Sequence, residues 1–328
     1  MDLRDLLRIE HRVVQAALGG GISRAELASA VSRAGGLGTV CTLQDPGAFR
    51  RELRRCRELC EGRPFSANLL FPVMRREHVE ACVGEKIPIV SLFFGFDRRV
   101  VSALHDAGAI VLHQIGSVEQ ARRALADGAD VLIAQGSGAG GHVLAEAPLA
   151  SLLPRVRELA GDKPLLASGG IHDRASAEKA SALGASGVWA GTRFLLTPES
   201  HAHDAYKARL LDATETLETH LFGLGWHALH RVVPNAATRR WCEHDPLGPR
   251  WVRGLQRATE WTSKWMSARS VEKLLAAQRV DRPLYGPVPL LRGMNPEWAD
   301  VTPLYAGSAV TEIRDLRPAA DVVRELSI

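Results

Sequence analysis

Residues 109–142 read AIVLHQIGSVEQARRALADGADVLIAQGSGAGGH. An apolar run, Ala109 to Gln114, is followed by an amphipathic one, Val118 to Asp127. A second apolar run, Val131 to Gln135, opens into a loop with four glycines that ends in His142. This is a strand, a helix, a strand and a loop. Nearly continuous apolar strands imply burial on both faces and therefore a parallel sheet.

The same alternation extends in both directions. Strands are expected at Arg12–Leu18, in a short run through Val40, and at Pro64–Leu70, Pro88–Phe94, Pro164–Ser168 and Gly187–Ala190. Helices are expected at Arg24–Arg33, Ala48–Glu61, Arg75–Gly84, Arg98–Ala107, Leu149–Ala160 and Ala175–Leu183. Ser23 and Glu26 have the spacing of a capping box for the first of these. Eight strand–helix units favour a closed (β/α)8 TIM barrel over an open doubly wound sheet, although periodicity does not reveal strand order. After residue 200 the texture changes. Ala205–Leu221 reads as a helix, and six of the seven tryptophans follow. The expected organisation is a barrel over residues 1–200 and a smaller, mostly helical C-terminal substrate or lid domain over 201–328, whose last segment can pack back on the barrel.

The chain's 328 residues, 46% hydrophobic and 24% charged, suit a globular protein with a sizeable core. Net charge is +4. The basic run Arg50-Arg51-Glu52-Leu53-Arg54-Arg55 reads as the solvated face of a helix, and no nucleic-acid reader motif accompanies it. No apolar run approaches the ~18 residues of a membrane span. The five dispersed cysteines suit free thiols in a reducing cytoplasm; Cys56 and Cys60 stand i,i+4 on an expected helix, but two further ligands at metal spacing are missing. No nucleic-acid, membrane or metal partner is expected, and a homodimer stays open as an assembly state.

In a parallel barrel, chemistry sits at the C-terminal strand ends. There the chain carries Gly19-Gly20-Gly21, Asn68, His113 and Gln114, Gln135 with the loop through Gly140 and Gly141 to His142, Ser168-Gly169-Gly170, and Ala190-Gly191-Thr192. Glycines at the last two strand ends let backbone N–H groups approach an anion, the usual phosphate grip of a barrel. With amides at Asn68 and Gln135, a flavin mononucleotide fits, as does a phosphorylated sugar. Pyridoxal phosphate needs a lysine near the strand ends, and none falls there. His113 either lines the pocket or packs in the core. His172 reads as a turn residue and Arg193 as a salt-bridge partner. His201 and His203 do not share a helix face, and the late tryptophans read as core.

Together, Gly19-Gly-Gly-Ile-Ser23, Ala67-Asn-Leu-Leu70, Gln135–His142, Ala167–Ile171 and Gly184–Leu195 resemble nitronate monooxygenases, within a flavin-barrel superfamily that also holds enoyl-ACP reductases. The resemblance implies FMN as cofactor and contacts from Ala17, Leu18, Gly19, Asn68, Gln114, Gln135, Gly140, Gly141, Ser168, Gly169, Gly170, Trp189, Ala190, Gly191 and Thr192. It implies His142 as the catalytic residue, acting as base or orienting group while O2 completes oxidation of an alkyl nitronate to a carbonyl compound and nitrite. The alternative it leaves is an enoyl reductase or an acyl-CoA dehydrogenase or reductase using NAD(P)H, with an enoyl thioester or acyl-CoA substrate. The family commonly has Pro-Met at Ala17-Leu18, a glutamate at Gly138 and a glycine at Leu144. The missing carboxylate removes a loop anchor.

Overall fold

The computed structural model describes residues 2–262 and 268–328. Strands β1 (Val13–Gln15), β2 (Gly38–Val40), β3 (Phe65–Leu70), β4 (Ile89–Phe93), β5 (Ile110–Ile115) and β6 (Val131–Gln135) run in chain order. The two-residue strand β7 (Gly141–His142) belongs to a second sheet, and β8 (Leu165–Ser168) and β9 (Gly187–Ala190) complete the first. That first sheet has eight strands in the order β1-β9-β8-β6-β5-β4-β3-β2, paired in parallel throughout. Its ends meet. The Leu37 amide donates to the Val13 carbonyl and the Gln15 amide to the Leu37 carbonyl, each at 2.9 Å. The sheet is therefore a closed TIM barrel, and the open arrangement is excluded.

Helix α1 (Leu3–Leu7) places Leu3 and Leu7 in one cluster with Ile89, Leu112, Val131 and Leu166, so it closes the N-terminal mouth of the barrel. The connecting helices are α2 (Ala25–Arg33), α3 (Pro46–Leu59), α4 (Arg76–Gly84), α5 (Arg98–Asp106), α6 (Val118–Asp127), α7 (Leu149–Ala160), α8 (Arg174–Ala182) and α9 (Thr192–Leu195). Helices α2 to α8 follow the sequence periodicity to within two residues, except at caps, while α9 has no counterpart among the expected helices. Ser23 does not cap α2; its Oγ accepts from the Leu18 amide at 3.1 Å, and the Ala25 amide donates instead to Glu52 at 3.0 Å. Glu26 is ion-paired with Arg55 at 2.6 Å. Much of the basic run on α3 is ion-paired, though not neutralised, since several guanidiniums share one carboxylate. Arg50, Arg54 and Arg57 all converge on Glu85, and the hydrogen bond from Arg54 leads in holding its carboxyl below the usual range.

The helix expected over 205–221 ends early. Helix α10 spans Asp204–Leu211, and β10 (Leu217–Thr219) then pairs antiparallel with β11 (His230–Val232), which pairs with β7. Tertiary pairing overrides local helical preference here: Arg231 reaches both Glu218 and the Ser137 carbonyl, tying β10 and β11 to the glycine-rich loop. Further on come α11 (Ala236–Trp241), α12 (Arg250–Thr259), α13 (Ala268–Ala277) and α14 (Ala319–Leu326). The α14 residues Ala319, Val322, Val323 and Leu326 share a cluster with Val31 of α2 and Phe194 of α9. Beside it, buried Arg193 donates to Asp315 at 2.7 Å, the salt bridge its sequence position suggested. The tryptophan expectation fails in part. Trp251 and Trp261 are 58% and 73% exposed, Trp226 lines the site below, and Trp265 lies outside the described residues. Among the described residues, no helix is long and apolar enough to cross a membrane.

Burial keeps several imidazoles neutral. Desolvation lowers His113, His201 and His220 to about 4 and His230 to about 3. An unfolded histidine titrates near 6.5, so below that pH the unfolded chain binds more protons than the native one. Stability is therefore full above pH 6.5 and falls as pH drops toward 4. Thermal melts are expected to stay flat from pH 6.5 to 8 and to lose on the order of 5 °C or more by pH 4.5. A midpoint constant over that acid range would contradict this.

Candidate active site

A cavity of about 460 Å³ opens over the C-terminal ends of the barrel strands. It collects His142 and every cofactor residue that the family resemblance implies, but not His113. Ala17, Leu18 and Gly19 follow β1; Asn68 is on β3, Gln114 on β5 and Gln135 on β6. Gly140, Gly141 and His142 come from the glycine-rich loop, Ser168–Gly170 from the tip of β8, and Trp189–Thr192 from the tip of β9. Residues from the C-terminal segment close the other side, among them Trp226, Pro287, Met294 and Tyr305.

The tips of β8 and β9 form a cradle. Gly169 and Gly170 both hold positive φ, at 107° and 76°, a region open to glycine and costly for residues with a Cβ. A Cβ built on Gly170 would meet nothing within 4 Å, so the space beside it belongs to the cavity. Among the described residues, the amides of Gly169, Gly170, Gly191 and Thr192 donate to no protein acceptor. Four undirected N–H groups at adjacent strand tips are the donor set that a phosphate monoester requires. The residues present therefore fit the phosphate of FMN, and the volume suits a ligand of that size.

The amide side chains divide by role. Gln114 makes no side-chain hydrogen bond to protein among the described residues and is free to meet a ligand edge. Asn68 donates through Nδ2 to the Ser91 carbonyl and hydroxyl, at 3.2 and 3.1 Å, which leaves Oδ1 without a protein partner. Gln135 is different. Its Nε2 donates to the His142 carbonyl at 3.0 Å and its Oε1 accepts from the Leu144 amide at 2.8 Å. Both ends of that amide clasp its own loop, so Gln135 shapes the path of the loop to His142. Gln135→Leu is expected to cost about 1–3 kcal/mol for each backbone group left unpaired, read by denaturant unfolding, with a loss of turnover that exceeds any loss of bound flavin. Unaltered stability would contradict the clasp.

The glycine-rich loop is pinned. Gly141 and His142 pair with Arg231 and His230 as strand β7. A Cβ on Gly140 would lie 2.3 Å from the Gly307 nitrogen and 2.4 Å from the Ala306 carbonyl carbon, so only glycine allows this approach. The Ser308 amide donates to the Gly138 carbonyl at 3.0 Å, and a Cβ at Gly138 would lie 2.9 Å from the Ser308 Oγ. Backbone contact with Ser308 thus anchors the loop where the family pattern has a carboxylate.

His142 is half-buried against the cavity. Its ring stacks on Trp226, with centroids 3.7 Å apart and planes 14° from parallel. Tyr305, His230 and Phe94 surround it at 5.3, 5.6 and 6.0 Å. Burial, and secondarily His230, holds the imidazole well below its ordinary pKa, so it is neutral at physiological pH. Nε2 is sealed with no hydrogen-bond partner. A buried orphan nitrogen in a native site is a mark of an incomplete constellation.

His113 does not line the cavity. It stacks on Phe96 at 4.6 Å and binds the Gly95 carbonyl through Nε2 at 3.0 Å, a core residue. His172 does reach the cavity wall, with Nε2 3.5 Å from Glu312, so it is more than a turn residue. Cys56 and Cys60 are buried with sulfurs 3.7 Å apart, and the described residues contain no cluster able to hold a metal. Trp226 and Tyr305 were missed from sequence. The glycines preceding Trp226 in Phe222-Gly-Leu-Gly-Trp226 are the one local signal, and they do not say which ring the indole meets.

A family model described as nitronate monooxygenase matches residues 1–78 and 73–327. Among curated proteins, an octahydroindene-carboxyl-CoA dehydrogenase from Mycobacterium tuberculosis is 36% identical over 220 residues, covering 64% of this chain and 60% of that protein. A nitronate monooxygenase from Neurospora crassa is 30% identical over 250 residues, covering 71% of this chain and 57% of that protein. The chain thus spans less than two thirds of the length of either relative. Among solved structures, a nitroalkane oxidase from Streptomyces ansochromogenes superposes with TM-score 0.78 at 29% identity, covering 99% of this chain and 96% of that one. FabK from Thermotoga maritima gives 0.76 at 25% identity, covering 99% and 94%.

Proposed function

The chain belongs to the nitronate monooxygenase family, and from that premise we propose that it is an FMN-dependent oxidoreductase that oxidises alkyl nitronates with O2 to a carbonyl compound and nitrite. The observation that carries this reading is the placing of four free strand-tip amides and the neutral His142 on one cavity. Bound FMN supplies the redox chemistry. The amides of Gly169, Gly170, Gly191 and Thr192 hold its phosphate, and Gln114 and the Oδ1 of Asn68 are the free amide groups for the ring edge. Residues 1–200 form the cofactor domain in this reading, and 201–328 roof the substrate with Trp226, Pro287, Met294 and Tyr305.

His142 meets the substrate on the cavity side. A neutral imidazole kept from protonation is a weak base and a good hydrogen-bond partner. Its main work is therefore to orient the anionic nitronate; proton removal from the carbon α to the nitro group is open to it only because that C–H is already acidic. The mostly apolar wall excludes water, which strengthens each hydrogen bond made inside.

A second reading is favoured by one observation: a relative named for a CoA thioester, at 36% identity, exceeds the nitronate monooxygenase at 30%. In it the substrate is an enoyl or acyl thioester, NAD(P)H is the redox partner of a reductase, and His142 orients the thioester carbonyl. Anaerobic mixing separates the two. Loss of the flavin absorption band on adding a nitronate, with no nicotinamide present, is the expected result. Bleaching by NADH or NADPH, with none by nitronate, would overturn the first reading and favour the second.

A further inference from the structure

His142 reaches the cavity from a two-residue strand, and its imidazole makes no hydrogen bond to protein among the described residues. Something else must fix the ring. Three rings from three different parts of the chain do so. Trp226 lies against its face at 3.7 Å. Phe94, just past β4, turns its edge to both Trp226, at 5.2 Å and 85°, and His142, at 6.0 Å and 87°. Tyr305 closes the side at 5.3 Å.

Two of these residues sit on defined turns. The turn carrying Trp226 is closed by its amide on the Gly223 carbonyl at 3.0 Å, and the Leu224 amide is tied to the Tyr285 carbonyl at 3.0 Å. Phe94 sits at φ 60°, in the left-handed region that a residue with a Cβ seldom adopts. Such strain persists where the surroundings demand it, and it collects at functional sites. Here the demand is visible: the left-handed turn is where the Phe94 ring meets Trp226 and His142.

We propose that Trp226 and Phe94 are the positioning residues of this site: the indole carries the His142 ring face-on, and Phe94 is held in a strained backbone to wedge the pair. The role goes beyond the family reaction and rests on the reading above only in taking His142 as the group that meets substrate. The stack also keeps water from the imidazole. The titratable groups facing the ring are His230 from β11 and Tyr305. His230 is neutral, its Nδ1 on the Ala228 carbonyl at 3.0 Å, and burial raises the Tyr305 hydroxyl far above its ordinary range. Neither brings a charge near neutrality, so burial, to which the stack contributes, is the leading influence on the His142 titration, with His230 second.

The test uses full-length protein with FMN in the variants Trp226→Phe, Trp226→Leu and Phe94→Gly. Glycine at 94 accepts φ 60° freely, so that variant removes the ring without backbone strain and keeps the test available if Trp226→Leu does not fold. Trp226→Leu and Phe94→Gly are expected to retain FMN and to lose roughly 10- to 100-fold in kcat, with a smaller change in KM. The acid limb of the pH–rate profile should move up toward 6.5, and Trp226→Phe should restore most of the loss. NMR titration of 13C-labelled histidine, with the His142 signal identified by its absence in His142→Ala, should show the same upward movement. An unmoved titration with unchanged kcat in both Trp226→Leu and Phe94→Gly would overturn the proposal. The titration does not depend on the substrate: a wild-type protein that binds no FMN would fail the flavoenzyme reading alone, while the NMR signal would still report on the stack.

Discussion

Replacing His142 with alanine is expected to lower turnover by about 10²- to 10⁴-fold and to leave FMN binding intact. The two effects separate because the two jobs lie on different walls of the cavity. In the proposed reading the phosphate is held by backbone at the tips of β8 and β9, whereas His142, on β7, lines the cavity where the substrate would bind. The hydrogen bonds that shape its loop use the His142 carbonyl and the Leu144 amide, which alanine preserves. Flavin absorption and steady-state kinetics on one preparation test both halves. Turnover within threefold of wild type would remove His142 from the mechanism, and loss of flavin would mean the ring supports the cofactor site.

Replacing Gly170 with aspartate is expected to abolish FMN retention, weakening the affinity by roughly 100-fold or more. Aspartate tolerates the left-handed backbone better than most residues, so the fold should survive φ 76°. Its carboxylate would project into open cavity, where a Cβ meets nothing within 4 Å, and would oppose the phosphate at close range. Gly170→Asn separates charge from shape: similar in size and equally tolerant of the backbone, it should lose far less. FMN titration of the apoproteins by flavin fluorescence quenching reads the difference. Equal affinities for the two variants would show that no phosphate lies beside Gly170.

The barrel was legible because each strand is a short apolar run followed by a turn, and parallel strands buried on both faces leave that mark. Glycines immediately after β8 and β9 stood out for the same reason: the strand ends are sharp. What periodicity did not disclose was pairing between distant segments. Leu217–Thr219 read as the end of a helix because its partner, His230–Val232, and through it Gly141–His142, lie far along the chain. Gln135 read as a cofactor amide because its side chain is of the right type at the right strand end; that both its ends fold back onto the loop is a matter of three-dimensional path. Trp226 read as core because an indole after a helical boundary usually is. His113 was undecided between wall and core, since one residue of strand register separates the two fates.

The central claim is that backbone amides at the tips of β8 and β9 grip the phosphate of FMN beneath the reach of His142. The absorption spectrum of the purified, folded protein, taken before and after incubation with FMN and desalting, tests it most directly. The expected result is a yellow protein carrying about one flavin per chain, either as isolated or after loading. A protein with a cooperative thermal transition that stays colourless after loading would contradict it.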